Sequence, residues 1–272
     1  MNCEPGGCLL SKYRAAVIGL GWMGMLYDLR PGLGRTSDRF NVDDIDRPTP
    51  ELEIHRKFHY HNLHLVYGHT PTSYAEALWD RPEVDLVSGC DRDTKRLKIY
   101  QERYGVKNVY TDAQEMLQKE DLDIVSVTTP SHARALPIIF AAENGVRGIY
   151  AEKGLCSSLA EADDIYRAIK SNKVAFNWGA MRRHHDGYLK LKKAISEGEI
   201  GTPMYVMVFA LTDLIKHHPH TLDTVATLIG DPRPLWVEGS FLSKEELISK
   251  MGGDESKLSK ICLLYTSPSP RD

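Results

Sequence analysis

The sequence predicts an α/β fold: a doubly wound parallel sheet at the N-terminus, followed by an incomplete C-terminal α/β domain with an open, α+β-like sheet. Three observations predict it. Short β-branched runs alternate with helix-length stretches from Ala15 to Trp178, the pattern of a sheet whose parallel strands are joined by helices. The first run ends in a glycine turn. The run 123–128, Asp-Ile-Val-Ser-Val-Thr, is apolar almost throughout, as a strand covered on both faces must be.

Each element follows from local chemistry. Residues 15–19 form a strand that enters the turn, and 22–29 start a helix. The polar stretch 30–68 carries Pro31, Pro48 and Pro50 with poor periodicity, which predicts a surface insertion with one short helix. Regular structure resumes with a helix over 73–80 and a strand over 84–90 that ends on Asp91. The helix 94–104 stops at Gly105, a residue suited to a left-handed cap. Residues 109–110 are a short strand, and 112–118 a helix that Asp112 can cap. A helix over 131–144 closed by Gly145, the strand Gly148–Ala151 delivering Glu152-Lys153, a helix over 160–172 and a strand over 174–178 complete the alternation. Beyond Trp178 the pattern changes to an amphipathic helix over 188–197, a strand over 204–211 and a helix over 221–229 closed by Gly230. The expected division is a disordered N-terminus (1–12), a doubly wound α/β domain (13–155, holding the insertion 30–68), a partial second domain (156–261) and a tail (262–272).

With 272 residues and 42% hydrophobic content, the chain can bury two cores or one large one. A formal net charge of −3 leaves no basic footprint for nucleic acid. The five cysteines, Cys3, Cys8, Cys90, Cys156 and Cys262, are scattered and lack paired spacing, which argues for a reducing compartment over a disulfide framework or zinc site. No apolar run approaches the ~18–20 residues that span a membrane, and the start lacks a signal-peptide core, so a cytoplasmic location is expected. The tail 262–272 resembles one translated frame of the transposase adapter used in DNA sequencing libraries. It is read as a scar, which makes the chain a truncated product whose natural sequence continued past Ile261.

Gly19-x-Gly21-x-x-Gly24 follows a strand and opens a helix, the context in which such a turn lets the backbone approach a pyrophosphate seated on the helix N-terminus. This marks a Rossmann-type unit. The acidic residue that would bind the ribose hydroxyls, normally about 20 positions on, is Asp91, although it lies 67 positions after Gly24. Its charge favours NAD over NADP, while Arg92 beside it leaves a 2′-phosphate open. His55, His59, His61, His64 and His69 form a cluster without a recognised ligand pattern. They are expected to be a solvated or interface loop, and no metal is assigned.

Together, the glycine turn, Thr128-Thr129-Pro130-Ser131-His132, Glu152-Lys153, and His220-x-x-Asp223 with Gly230-Asp231-Pro232 resemble the Gfo/Idh/MocA family, relatives of glucose–fructose oxidoreductase and inositol dehydrogenase. The resemblance runs from about Arg14 to about Leu242. It implies a Rossmann domain joined to an α/β domain whose open sheet often forms the dimer contact. It also implies hydride transfer between NAD or NADP and a hydroxyl-bearing carbon of a sugar, cyclitol or sugar acid. Lys153 matches the catalytic lysine, which would steady charge on the reacting oxygen. His220 matches the general acid or base, its neutral form favoured near a helix start. Gly19, Gly21, Trp22, Met23, Gly24, Asp91, Arg92, Thr129, Pro130, His132 and Glu152 would surround the cofactor. Arg182, Arg183, His184, Lys216, His217 and Asp223 would face the substrate, with a solvated basic turn the other reading of 182–185 and helix capping the other reading of His220 and Asp223.

Two departures stand out. The family usually has proline after the lysine, where this chain has the looser Gly154. Many members carry an aspartate where this chain has Lys216, a change that suits an acidic substrate or altered chemistry. A non-catalytic, dinucleotide-sensing regulator on the same scaffold is therefore the alternative function. A chain lacking the end of its second domain leaves a third reading, an inactive one. The full-length protein is expected to be a homo-oligomer.

Overall fold

The computed structural model of the chain describes residues 12–26, 73–208, 218–238, 243–250 and 252–253. Two compact units, Met1–Trp178 and Gly179–Asp272, make it up. The expectations for the disordered N-terminus short of Lys12, the short helix of 30–68, the histidines from His55 to His69 and the tail 262–272 fall outside the described residues.

The first unit is built on six parallel strands: β1 (Tyr13–Ile18), β2 (Val84–Cys90), β3 (Asn108–Tyr110), β4 (Ile124–Val127), β5 (Gly148–Ala151) and β6 (Ala175–Trp178). Their order is β3-β2-β1-β4-β5-β6, each neighbouring pair parallel. The helices between them are α1 (Tyr74–Trp79), α2 (Thr94–Tyr104), α3 (Ala113–Lys119), α4 (Ala135–Glu143) and α5 (Leu159–Ser171). The period of two along β1 explains why both faces of the sheet are covered. Ala16 and Ile18 join a core with Met116 of α3, Ile138 of α4 and Ile165 of α5. Val17 joins the opposite core with Ala75 of α1 and Leu97, Tyr100 and Tyr104 of α2. Each such fully buried aliphatic side chain contributes about 1.5–3 kcal/mol, so a polar substitution on either face of β1 loses a core. Helix starts are fixed by side-chain caps at Ser73, Asp93, Asp112 and Ser158, each accepting a first-turn N–H. Gly105 ends α2 at φ 71°.

One helix is assembled from two pieces of chain. The turn 22–26 that follows the glycine loop offers its carbonyls to α1: Tyr74 N–H donates to Met23 O at 2.9 Å and Ala75 N–H to Gly24 O at 3.0 Å. In an unbroken helix the residues four beyond Met23 and Gly24 would make those bonds. Tyr74 and Ala75 stand in equivalent register, and two first-turn donors of α1 are satisfied by carbonyls of the turn 22–26. Along this composite helix Asp91 stands about 20 residues beyond Gly24, the ordinary spacing for such a unit.

Four expectations need correction. The helix expected over 131–144 is divided into a 3₁₀ turn, Ser131–Ala133, and α4, with Arg134 at the break. Pro137 accounts for this, because its ring would meet the Ala133 carbonyl four residues earlier in a continuous α-helix; that carbonyl instead accepts from Thr129 Oγ1 at 3.0 Å. The boundary placed at 155 lies instead after Trp178, since β6 pairs with β5 and α5 packs on the same core. The helix expected from Thr221 begins earlier, at His218. Finally, 204–208 are not a strand and stand exposed, and no ladder partner for them is found among the described residues; 209–211 lie outside those residues. The second unit's helices are α6 (Asp186–Ser196), α7 (His218–Leu228) and α8 (Lys244–Lys250). No helix among the described residues is long and apolar enough to cross a membrane.

Gly89 lies in β2 under Tyr100, whose ring is fully buried and whose hydroxyl donates to Ser88 O at 3.1 Å. A Cβ at position 89 would stand 2.5 Å from that ring. Gly89→Ala is therefore expected to lower unfolding stability by about 1–3 kcal/mol in denaturant titrations, as overpacking does; an unchanged midpoint would contradict this packing.

Candidate functional site

Strand order reverses between β1 and β4, so the loops leaving their carboxyl ends diverge and open a crevice where doubly wound sheets bind ligands. The glycine turn forms one wall. Gly19 adopts φ +94°, and a Cβ there would stand 2.8 Å from Thr129 N; at Gly24 a Cβ would stand 2.0 Å from Gly19 O. These two glycines are demanded by the turn itself. Gly21 is different: none of the described residues lies within 4 Å of its Cβ position, and its φ is not positive. The bare backbone there serves no internal contact, and it leaves the room a pyrophosphate needs, so the turn fits a dinucleotide. Thr128 closes the other wall, its hydroxyl donating to Ile18 O at 3.2 Å and to Gly19 O.

Asp91, at the end of β2, braces this turn. Its Oδ2 accepts from Leu20 N–H at 2.6 Å and from Arg96 at 3.3 Å, and its Oδ1 accepts from Asp93 N–H at 2.9 Å. Arg92 beside it is exposed, as are Pro130 and His132 at the end of β4, while Trp22, Met23 and Thr129 are half-buried. Burial first, and then the Asp91 charge, push the Cys90 thiol up to about 12, so it is a neutral core group.

The end of β5 carries the charged part of the site. Glu152 N–H makes a last sheet-like bond to Val127 O at 2.9 Å. The residue is 4% exposed, and its carboxylate accepts from Tyr74 Oη at 3.1 Å and from Lys153 N–H at 3.0 Å. Burial holds the Glu152 carboxyl above its ordinary value, against the opposing pull of Lys153 and Arg134. The Lys153 ammonium lies 3.9 Å from Glu152 Oε2 with its side chain 18% exposed. Arg134, 3% exposed, donates to Glu152 O at 2.6 Å and also to Gly154 O and Thr129 O. Tyr74 and Arg134 were not visible in the sequence as site residues. A tyrosine after a cap and an arginine within an expected helix carry no signal of what they will meet.

The second unit, taken by itself, gathers some of the expected substrate residues. Arg183 Nε donates to both Asp223 oxygens, at 2.9 and 3.1 Å, and its Nη2 also reaches Asp223 and lies 3.3 Å from Asp231 Oδ1. These bonds raise the Arg183 pKa above its usual value. Asp223 sits in the second turn of α7, so it does not cap that helix; its carboxylate joins α7 to the Met181–His184 turn. Arg182 and His184 are exposed, and His220 is half-buried in the first turn of α7. Lys216 and His217 lie outside the described residues. A separate cleft of about 620 Å³ lies at the amino ends of β1, β2 and β3, lined by Lys12, Arg14, Val84 and Asn108 among others, and contains none of the expected site residues.

The glycine turn at the switch point defines a dinucleotide-binding Rossmann unit. Residues 67–180 match the model of the Gfo/Idh/MocA family, described as "Oxidoreductase family, NAD-binding Rossmann fold". The chain is 34% identical over 142 residues to the scyllo-inositol 2-dehydrogenase (NAD(+)) of Bacillus subtilis, covering 50% of this chain and 41% of that one. It is 30% identical over 125 residues to the inositol 2-dehydrogenase of Salmonella typhimurium, covering 45% and 37%. It therefore spans about two-fifths of the length of these relatives. The crystal structure of myo-inositol 2-dehydrogenase from Lactobacillus plantarum superposes with a TM-score of 0.56 at 22% identity, over 80% of this chain and 57% of that one, which shows the shared fold.

Because Glu152 holds its proton to higher pH when folded, the folded state binds more protons than the unfolded chain above the ordinary glutamate value of 4.5. Stability is then expected to decline as pH rises from 4.5 through the folded-state value. Urea melts of the native chain and Glu152→Gln between pH 4 and 8 check this: the variant should lose that part of the decline, and superimposable pH profiles would refute it.

Proposed function

We propose that the chain comprises the cofactor domain and the start of the substrate domain of an NAD-dependent dehydrogenase acting on a hydroxyl of a sugar, cyclitol or sugar acid. The observation that carries this reading is the placement of Lys153. It follows the end of β5, one strand from the switch-point crevice, beside a buried carboxylate. NAD, when bound, supplies the hydride acceptor or donor. The glycine turn would hold the pyrophosphate, and Trp22, Met23, Arg92, Thr129, Pro130, His132 and Glu152 would surround the rest of the cofactor. Asp91 would meet the ribose, where its charge repels a 2′-phosphate. The Lys153 ammonium would hydrogen-bond the reacting oxygen and steady charge as the hydroxyl proton leaves. His220 would move that proton, with Arg182, His184, Lys216 and His217 lining the substrate pocket and the Arg183–Asp223 pair shaping it. The names of the relatives support a polyol, and Lys216 favours one bearing an acid group. We place the protein in the cytoplasm, consistent with the free thiols of Cys90 and Cys156, and expect the full-length protein to assemble as a homo-oligomer.

Fluorescence titration with NADH tests the cofactor assignment. Gly21→Val is expected to weaken NADH binding on the order of 10-fold or more while leaving the melting temperature within a few degrees, because its side chain meets only the ligand's space. Normal affinity in that variant would remove the pyrophosphate from this turn. Turnover of a panel of inositols, aldoses and aldonic acids by the full-length protein tests the reaction. Lys153→Met should keep NADH binding and lose about 10²–10⁴-fold in kcat. Full turnover by Lys153→Met would exclude the proposed role of the lysine, and NADH binding without any turnover would favour the sensing regulator.

A further inference from the structure

We propose that Arg134 is a positioning residue for Lys153: its buried guanidinium holds the carbonyls on either side of the lysine and ties them to the end of β4, fixing the direction in which the ammonium is presented. This rests on the reading of Lys153 as the group that meets the reacting oxygen.

The need for such a device is visible in the backbone. The β5 ladder ends with the Glu152 N–H bond to Val127 O, and the next regular element, α5, begins only at Leu159. Lys153 therefore stands on irregular chain, followed by a glycine, the residue least able to hold a direction of its own. Arg134 meets this from the side. One nitrogen, Nη1, donates to Glu152 O at 2.6 Å and to Gly154 O, so it spans the lysine residue; the other, Nη2, donates to Thr129 O at the end of β4. The planar fork of arginine reaches three acceptors in fixed geometry, where an ammonium would act as a single point charge.

The bonds go to main-chain oxygens, so Arg134 does more than balance the charge of Glu152. Glu152 completes the arrangement from the other side, its Oε2 accepting from Lys153 N–H while Tyr74 Oη holds its Oε1. Arg134 can reach these carbonyls because α4 starts late. The break before Ala135 places Arg134 between the 3₁₀ turn and the helix, with its side chain buried.

The test uses the full-length protein with Arg134→Met, Arg134→Lys and the double variant Arg134→Met/Gly154→Pro. Proline replaces the lost hold with a fixed φ, and Gly154 is not among the glycines with positive φ. Three quantities are measured: NADH affinity, kcat and KM for myo-inositol and scyllo-inositol, and amide hydrogen exchange over residues 152–156. Arg134→Met is expected to speed exchange in that segment alone and to lower kcat on the order of 10²-fold, the scale of an ångström-level misplacement. NADH affinity and KM should change less than about threefold. Arg134→Lys should fall between, and it also decides the matter if the methionine variant does not fold. The proline double variant should recover both protection and part of kcat. The proposal is overturned if exchange quickens without loss of kcat, if NADH affinity falls as far as kcat, or if the double variant recovers neither. A native protein that binds NADH yet oxidises no polyol would defeat the dehydrogenase reading instead, and the exchange measurements would still show whether Arg134 holds the turn.

Discussion

Gly24 lies so close to the Gly19 carbonyl that no side chain fits between them, and this contact draws the start of a helix onto the end of β1. Several features follow from it. The carbonyls of Met23 and Gly24 are presented to α1, which completes the helix from a later part of the chain. The Leu20 N–H turns toward Asp91, which ties the turn to β2, and the Gly19 carbonyl meets the Thr128 hydroxyl, which ties it to β4. Turn, α1 and both neighbouring strands thus form one wall, and Gly21 within it keeps its backbone clear of the other described residues.

The end of β5 is organised on a different principle. Here a buried carboxylate lies among two cations and a tyrosine hydroxyl. Burying such a group without partners would be costly. Glu152 has hydrogen bonds to both oxygens and positive charge nearby, which makes the arrangement tolerable without making it a source of stability. Its value lies in order. Each partner comes from a different part of the chain: Tyr74 from α1, Arg134 from the break before α4, and Lys153 from the irregular stretch just past β5. A shift in any of these elements would be felt at the lysine.

Much of this was legible in the sequence, for reasons that differ by feature. The strands and most helices followed from periodicity and from local caps, and Asp112 and Gly105 end their helices as expected, one by its carboxylate and the other by its freedom to turn left-handed. The glycine turn was legible because its spacing encodes a backbone shape. The late start of α4 was encoded too, in Pro137, but was masked by the apolar run around it. What could not be read were pairings between residues far apart in the chain. Arg134 with Glu152 and Gly154, Tyr74 with Glu152, and Arg183 with Asp223 depend on which elements meet. In the last case an arginine and an aspartate, both expected at the substrate, pair with each other across 40 residues of chain.

The composite helix also bears on how chains of this kind are recognised and how they change. Leu26 and Ser73 sit at the two sides of a junction in which the helical ladder resumes without loss of register. Sequence added at this point leaves strand order, core and turn untouched, and the entropic cost of a longer excursion grows only slowly, by about 0.6 kcal/mol for each doubling. The junction therefore acts as a port through which the gene can gain or lose a passenger segment right beside the cofactor crevice. It also hides the domain's beginning from comparison by sequence. The family match starts at residue 67, on the far side of the port, although the strand at the centre of the sheet and the glycine turn both precede it.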